Sequence, residues 1–312
     1  VNGYLLLNDG TGSFENVTDE IAPGMKEIGM ITDATWTDLD GDKDMDLVVV
    51  GDWMPIVAFI NENGHFRLDR EFMPNSSGWW TSVASADLNK DGVMDIVAGN
   101  HGLNSRFKAS AEKPIEMFVK DFDLNGLADQ IICYYEGDQL FPLALKHDLE
   151  KQIPFTGRKY KMYADYKDQQ VYDIFSSVEL ESALHLTAVN LSTSVFLGAG
   201  DFKYEMIDLP IQSQFSTTYA ISIDDFNDDD HLDILLGGNM YQSKPEMGRY
   251  DASYGTLLIG KGDGNFNFMP HKESGLKIDK AVREIKKIQT ANGEWVLVGN
   301  NDDLLQWFSK TH

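Results

Sequence analysis

The chain predicts an all-β fold, a β-propeller of four-stranded antiparallel blades. Three observations carry this: an acidic ladder repeated four times, a glycine-turn hairpin repeated four times, and a near-constant phase between the two. The ladders are Asp38-x-Asp40-x-Asp42-x-x-x-Asp46, Asp87-x-Asn89-x-Asp91-x-x-x-Asp95, Asp121-x-Asp123-x-Asn125-x-x-x-Asp129 and Asp225-x-Asn227-x-Asp229-x-x-x-Asp233. Each runs into an apolar stretch, residues 47–50, 96–98, 131–132 and 234–236, so each loop is read as opening onto a strand. The hairpins join an apolar strand, a Gly/Asn/Asp turn and an aromatic residue over residues 5–14, 58–66, 195–202 and 257–266. Tight turns of this kind need residues that tolerate positive φ.

From the hairpin aromatic to the next ladder the distance is 24 residues (Phe14 to Asp38), 21 (Phe66 to Asp87) and 23 (Phe202 to Asp225). The same step from Phe266 lands on Thr290, in the sequence Thr290-Ala291-Asn292-Gly293 between two strand-like runs. A fifth equivalent loop is therefore expected there, with an Asn-Gly hairpin turn in place of the acidic residues. The structural unit does not need the ladder everywhere.

A unit of strand, acidic loop, strand, connection, strand, glycine turn and strand is a four-stranded blade. Blades that cannot bury both faces alone stack radially. Residues 1–312 are read as a single propeller on this basis. Ladder spacings of 49, 34 and 104 residues suggest a trimmed outer hairpin in the second blade, around Arg106 to Lys113, and extra chain in the third. The extra segment, 142–191, contains helical spacing over 146–152 and 171–180. It is expected as a small helical insertion within the third blade, because its many Tyr, Phe and Leu do not fit a linker.

The formal charge is −24, from 50 acidic and 26 basic residues. Thirteen of the carboxylates stand at ladder positions, so over half of the acidic excess sits in four short loops. Nucleic-acid binding is excluded as an expectation, since phosphate contacts require clustered Lys and Arg. No apolar run reaches the ~18 residues of a membrane span. The lone Cys133 excludes an intrachain disulfide framework and any multi-cysteine metal site. Its setting, Ile131-Ile132-Cys133-Tyr134, reads as a buried core position. The chain begins at Val1 within a strand-like stretch and without Met, as an excised piece of a longer protein would.

The ladders have the chemistry of calcium loops. Calcium takes six to eight oxygen ligands in a pliable geometry. Side chains at positions one, three and five supply three oxygens: Asp38, Asp40 and Asp42; Asp87, Asn89 and Asp91; Asp121, Asp123 and Asn125; Asp225, Asn227 and Asp229. A backbone carbonyl at position seven (Asp44, Val93, Leu127, His231) adds a fourth, and the aspartate at nine (Asp46, Asp95, Asp129, Asp233) closes the shell. Up to four Ca2+ are expected. Position twelve is Val49, Ala98, Ile132 or Leu236, whereas an EF-hand needs an acidic residue there and a following helix. Magnesium is disfavoured because it demands stricter octahedral geometry. The fourth loop has no glycine and places Asp230 at position six, where a left-handed backbone is costly. It is the loop least expected to hold a cation.

The paired signatures resemble the FG-GAP/VCBS repeats of bacterial surface and secreted proteins, and are similar to the calcium-bearing propeller of integrin α chains. The resemblance spans nearly the whole chain. It implies a propeller with calcium between the two inner strands of a blade, and the ladder positions above as its ligands. Thr290–Gly293 and the helical insertion depart from the pattern. Five inner-strand pairs and the unattached hairpin at 5–14 leave the blade number open, and that hairpin fits a blade whose inner strands lie upstream of Val1.

In a propeller the acidic loops occupy one face, and the loops after each second strand occupy the other. Those second loops hold Trp53, His101, Tyr135, Tyr241, Arg249 and Tyr250, with Trp79 and Trp80 nearby. Aromatic rings beside polar groups make a candidate surface for a protein or glycan partner. The reading that follows is a calcium-stabilised extracytoplasmic interaction module, since millimolar extracellular calcium saturates weak sites. One alternative is a propeller-fold lyase or hydrolase using His101, Tyr241, Arg249 and Asp251, although the sequence has no Gly-x-Ser-x-Gly, His-Glu-x-x-His or phosphate-binding glycine loop. Another is a purely structural domain of a larger surface protein.

Overall fold

The computed structural model describes residues 3–244, 248–291 and 293–309. Val1, expected in a strand, and Asn292, expected in a turn, lie outside them. The chain forms two compact units, one of Val1–Arg106 with Leu191–His312 and one of Phe107–Asn190.

The first unit opens with an antiparallel hairpin of β1 (Leu6–Asn8) and β2 (Phe14–Asn16). Asp9 closes its turn by accepting the Thr11 and Ser13 N–H groups. A first sheet follows in which β3 (Met30–Thr37), β4 (Asp46–Met54), β5 (Val57–Glu62) and β6 (His65–Asp69) neighbour one another in order. The short β7 (Gly78–Trp79) pairs with the end of β4. The turn between β5 and β6 is Asn63-Gly64, with φ of 59° and 86°, which matches strand twist as a two-residue hairpin requires. A second sheet begins with β8 (Ser82–Ala86) and β9 (Asp95–Gly99).

The chain then builds the Phe107–Asn190 unit. Its β10 (Ile115–Lys120), β11 (Asp129–Glu136), β12 (Gln139–Pro142) and β13 (Leu184–Ala188) form a sheet in the order β12-β11-β10-β13. Five short helices lie between β12 and β13: Lys146–Gln152, Phe155–Lys159, Tyr163–Tyr166, Val171–Ile174 and Ser177–Glu181. Leu149, Ile153, Val171, Phe175 and Leu180 share a core with Phe118, Ile131 and the buried Cys133. The stretch expected as one helix over 171–180 is two, because Ser176 starts the second. Its N–H donates to the Glu179 carboxylate at 2.7 Å and its hydroxyl accepts the Glu179 N–H at 3.3 Å, a reciprocal cap.

Back in the first unit, β14 (Ser194–Gly198) pairs with β9 and β15 (Tyr204–Asp208) pairs with β14, completing the second sheet. A third sheet contains β16 (Thr218–Asp224), β17 (Asp233–Gly238), β18 (Thr256–Gly260) and β19 (Phe266–Met269). A fourth contains β20 (Val282–Thr290), β21 (Gly293–Asn300) and β22 (Gln306–Ser309). Thr290 pairs with Gly293, so a two-residue connection replaces the acidic loop there, where the phase places it.

This topology corrects the expected strand assignment. The second sheet has no trimmed outer hairpin near Arg106, and the hairpin at 195–202 does not close the sheet of the third ladder. That hairpin closes the second sheet, and the third ladder with the helices forms a separate unit inserted between β9 and β14. Register across β9 and β14 explains the choice: Ile96 faces Phe196 and Val97 faces Val195, pairing buried apolar residues on both faces.

Strands β4, β9 and β17 are apolar at consecutive positions because both of their faces are covered. Side chains alternate between faces along a strand, and the contacts follow that alternation. Val48 and Val50 pack with Ile96 and Ala98 of the second sheet, whereas Leu47 and Val49 face Ala22, Met25 and Ile28. Val97 packs with Ile234 and Leu236 of the third sheet, and Leu235 with Val282 and Ile285 of the fourth. The first strands of these sheets, β3, β8, β16 and β20, are more polar and line one cavity of about 440 Å³. They are stitched together across it. Asp33 accepts the Val83 N–H at 2.8 Å, Thr81 Oγ1 donates to Thr218 O, and Lys287 pairs with Asp224 at 2.9 Å.

The aspartate at ladder position nine joins each loop to its sheet. Asp46, Asp95 and Asp233 are buried. One oxygen of each accepts the N–H of ladder position two, from Leu39, Leu88 and Phe226 at 2.8–2.9 Å. The other accepts an N–H at the end of the third strand, from Asn61, Gly198 and Gly260 at 2.7–2.9 Å. Asp129 makes the first of these bonds, to Phe122 at 3.0 Å. Asp95→Ala would leave two buried N–H groups unpaired, so it is expected to lower the unfolding free energy by about 2–5 kcal/mol. Urea denaturation in a chelating buffer measures this loss, and a loss below about 1 kcal/mol would show that the clamp carries little stability.

Candidate functional site

The four ladders adopt one backbone course despite their different residues. In each, positions four and six have positive φ: Gly41 and Lys43, Lys90 and Gly92, Leu124 and Gly126, Asp228 and Asp230. The fourth loop, without glycine, forms the same turn as the others. Aspartate tolerates this region better than most residues. The course is held by side-chain oxygens accepting backbone N–H groups from within the loop. Asp87 accepts from Asp91 and Gly92, Asp121 from Asn125 and Gly126, and Asp225 from Asp229 and Asp230, at 2.8–3.1 Å. Position five accepts the N–H of position seven in every loop, at 2.8–2.9 Å.

These bonds curl the odd-numbered side chains inward. Carboxylate oxygens of Asp38, Asp40 and Asp42 lie within 4.8 Å of one another, as do those of Asp121, Asp123 and Asp129. In the other two loops position three is an amide. Asn89 donates to Asp91 at 3.0 Å and Asn227 to Asp229 at 2.9 Å. Burial raises the pKa of Asp46, Asp95 and Asp233, and the neighbouring ladder carboxylates add to the rise. The loops thus concentrate oxygen ligands and unbalanced negative charge in one place, which suits a hard cation.

The antiparallel strands put the connections after β4, β9 and β17 at the opposite end of each sheet from the ladders. An aromatic row runs there. Trp53 meets Trp79 edge-on at 5.3 Å between ring centroids, Trp79 meets His101 at 5.2 Å, and His101 meets Tyr250 at 4.8 Å. Trp53 has φ +60°, a conformation rarely adopted by a bulky residue. Arg249 stacks over the Tyr241 ring at 4.2 Å. Five of the six candidate rim residues therefore lie in the first unit at this end, Trp53 near the end of β4 and His101, Tyr241, Arg249 and Tyr250 on the connections after β9 and β17. Tyr135 is carried by the Phe107–Asn190 unit, where its hydroxyl donates to Glu116 at 3.0 Å and His185 contacts the other Glu116 oxygen at 2.8 Å.

Trp80, expected near this rim, is instead fully buried between the first two sheets, with its Nε1 donating to Ser76 O at 2.7 Å. Sequence reasoning missed Arg106, which lines a rim pocket together with Arg249 and Tyr250. Its signal was weak: a single basic residue after Asn104-Ser105, with no periodic mark.

Residues 2–49 and 38–98 each match the FG-GAP-like repeat family. The matched stretches take in the first two ladders and the first two hairpins. No curated protein matches the chain.

His101 is 7% exposed, and burial holds its pKa down at about 4. An unfolded chain takes up its proton near pH 6.5, before the folded one can. The stability this residue confers is complete above pH 6.5 and is lost as pH falls toward 4, amounting to about 3 kcal/mol. His101→Phe keeps the ring contacts and removes the titration. The difference in unfolding free energy between wild type and variant is expected to shrink over that interval, as measured by denaturation at successive pH values. A constant difference would contradict a buried neutral His101.

Proposed function

We propose that the chain is a calcium-stabilised interaction module of β-propeller type that works outside the cytoplasm and binds a protein or glycan through the rim opposite its acidic loops. The observation that carries this reading is the separation of two chemistries at the two ends of the same sheets. Ladder side chains converge at one end, while Trp53, Trp79, His101, Tyr241, Arg249 and Tyr250 gather at the other. The repeats matched in the first 98 residues and the four first strands around one polar cavity support the propeller form. Function in such a fold resides in the surface grafted on it.

Calcium would be held by side chains at positions one, three, five and nine and by the carbonyl at seven. Its charge would offset the repulsion among buried and half-buried carboxylates that the loops otherwise carry. Extracellular calcium concentrations fill weak sites of this kind. His101, the natural candidate for acid–base chemistry, lies buried and neutral among aromatic rings. Its environment favours a packing role over an enzymatic one.

A ligand that binds only the folded state stabilises it, by about 2.7 kcal/mol per site at a hundredfold excess over Kd. Addition of 2 mM-scale calcium to chelator-treated protein is therefore expected to raise its melting temperature by several degrees, with smaller gains from equal magnesium. The double variant Asp40→Asn/Asp42→Asn should lose part of that gain. An unchanged melting temperature in calcium, with no heat of binding in a titration, would overturn the calcium assignment.

A further inference from the structure

Beyond β9 the segment 100–106 runs alongside residues 211–216. Leu103 and Asn104 both donate their N–H groups to Gln214 O, at 2.9 and 3.0 Å, and Asn104 Nδ2 donates to Phe215 O at 3.1 Å. Gly102 makes this approach possible. Its φ is +86°, and a Cβ there would lie 2.8 Å from Gln214 O. On the facing side, Tyr250 exchanges two backbone bonds with Met240, and its carbonyl accepts Ser216 Oγ at 3.1 Å. Between them is a pocket of about 360 Å³ with Asn104, Arg106, Phe215, Arg249, Tyr250 and Asp251 in its wall.

Two of the chain's six arginines line this pocket, in a protein of net charge −24. Arg249 makes no hydrogen bond or ion pair among the described residues. It rests on the Tyr241 ring, which is anchored by a 2.9 Å bond from its hydroxyl to Asp279 O. Stacking occupies the face of a guanidinium and leaves its in-plane N–H donors for a ligand. Tyr250 is 7% exposed, yet its hydroxyl has no hydrogen-bond partner among the described residues. A buried polar group left unpaired is costly and calls for an acceptor. Burial raises the pKa of this hydroxyl, with the Arg106 charge acting in the opposite sense, and both residues line the same pocket. Asp251 adds an acceptor that would repel a bare anion but would receive hydroxyl groups.

We propose that this pocket binds the oxyanion group of an acidic sugar, with Arg106 and Arg249 taking the charged group, the Tyr250 hydroxyl donating to it and Asp251 accepting from the ring hydroxyls. The proposal rests on the reading of this rim as the interaction surface, and names the ligand class that the surface takes. Paired guanidinium groups match the geometry of carboxylate and sulfate oxygens alike. The combination of two cations with a carboxylate favours a ligand that carries both an anion and hydroxyl donors.

The test is isothermal titration of the whole chain in calcium with trigalacturonic acid, galactose 6-sulfate, maltotriose and triglutamate. One or both acidic sugars should bind, and the tighter of them identifies the oxyanion. Maltotriose and triglutamate should bind at least about tenfold more weakly. Arg249→Ala and Arg106→Gln should each weaken acidic-sugar binding by about tenfold or more, with partial recovery in Arg249→Lys. A melting curve matching wild type keeps misfolding from imitating this result. Absence of acidic-sugar binding, or binding untouched by both substitutions, would overturn the proposal. Equal binding of triglutamate would overturn the sugar assignment. Maltotriose binding that survives both substitutions would overturn the anion pocket while leaving the rim a glycan surface.

Discussion

In three of the sheets a buried aspartate, Asp46, Asp95 or Asp233, bonds both to the acidic loop ahead of its own strand and to the end of the neighbouring strand. Buried backbone N–H groups need partners, and these carboxylates supply them at the point where two connections meet. The bond fixes where the second strand of each sheet begins. That start sets the register by which alternate residues of β9 and β17 reach the two flanking sheets, and those of β4 reach the second sheet on one side and Ala22, Met25 and Ile28 on the other. The carboxylate also pays a desolvation cost, visible as raised pKa values. Loop, strand register and inter-sheet core thus hang on one buried charge in each sheet.

The same constraint explains what varies. Glycine at positions four and six is dispensable, since Lys43, Lys90, Leu124, Asp228 and Asp230 adopt the same positive φ. The connection between β20 and β21 shows the other limit. It keeps the strand pairing and drops the ladder altogether. A bound cation is the role proposed for the ladder's side-chain oxygens beyond those that hold the loop. The opposite rim is free of that duty. Its aromatic row and its two arginines rest on the ends of strands already fixed from the other side.

Much of this was readable in the sequence. Ladder spacing, apolar runs and glycine turns locate the strands β3–β6, β8, β9 and β14–β21 because each follows from a local rule of turn chemistry or side-chain alternation. The nesting was not, since nothing local to β9 says that its partner lies beyond residue 190. One clue was present: the third ladder, at Asp121, is the only one with no glycine hairpin ahead of it. Adjacent tryptophans were ambiguous for a similar reason. Trp79 and Trp80 point to opposite faces of one short segment, and only the position of the second sheet decides which is buried. Rim residues were nominated by type and place. Their meeting with Arg106 depends on the close approach at Gly102 and Gln214, which no spacing reveals.

The central claim is that the ladders are cation-bearing staples and the rim is where partners bind. Anomalous diffraction from crystals grown with a lanthanide in place of calcium tests it most directly. The account predicts peaks inside the ladders that begin at Asp38, Asp87, Asp121 and Asp225, and none at the turn between Thr290 and Gly293. Ladders without peaks, or peaks confined to the rim beside Arg249 and Tyr250, would contradict it.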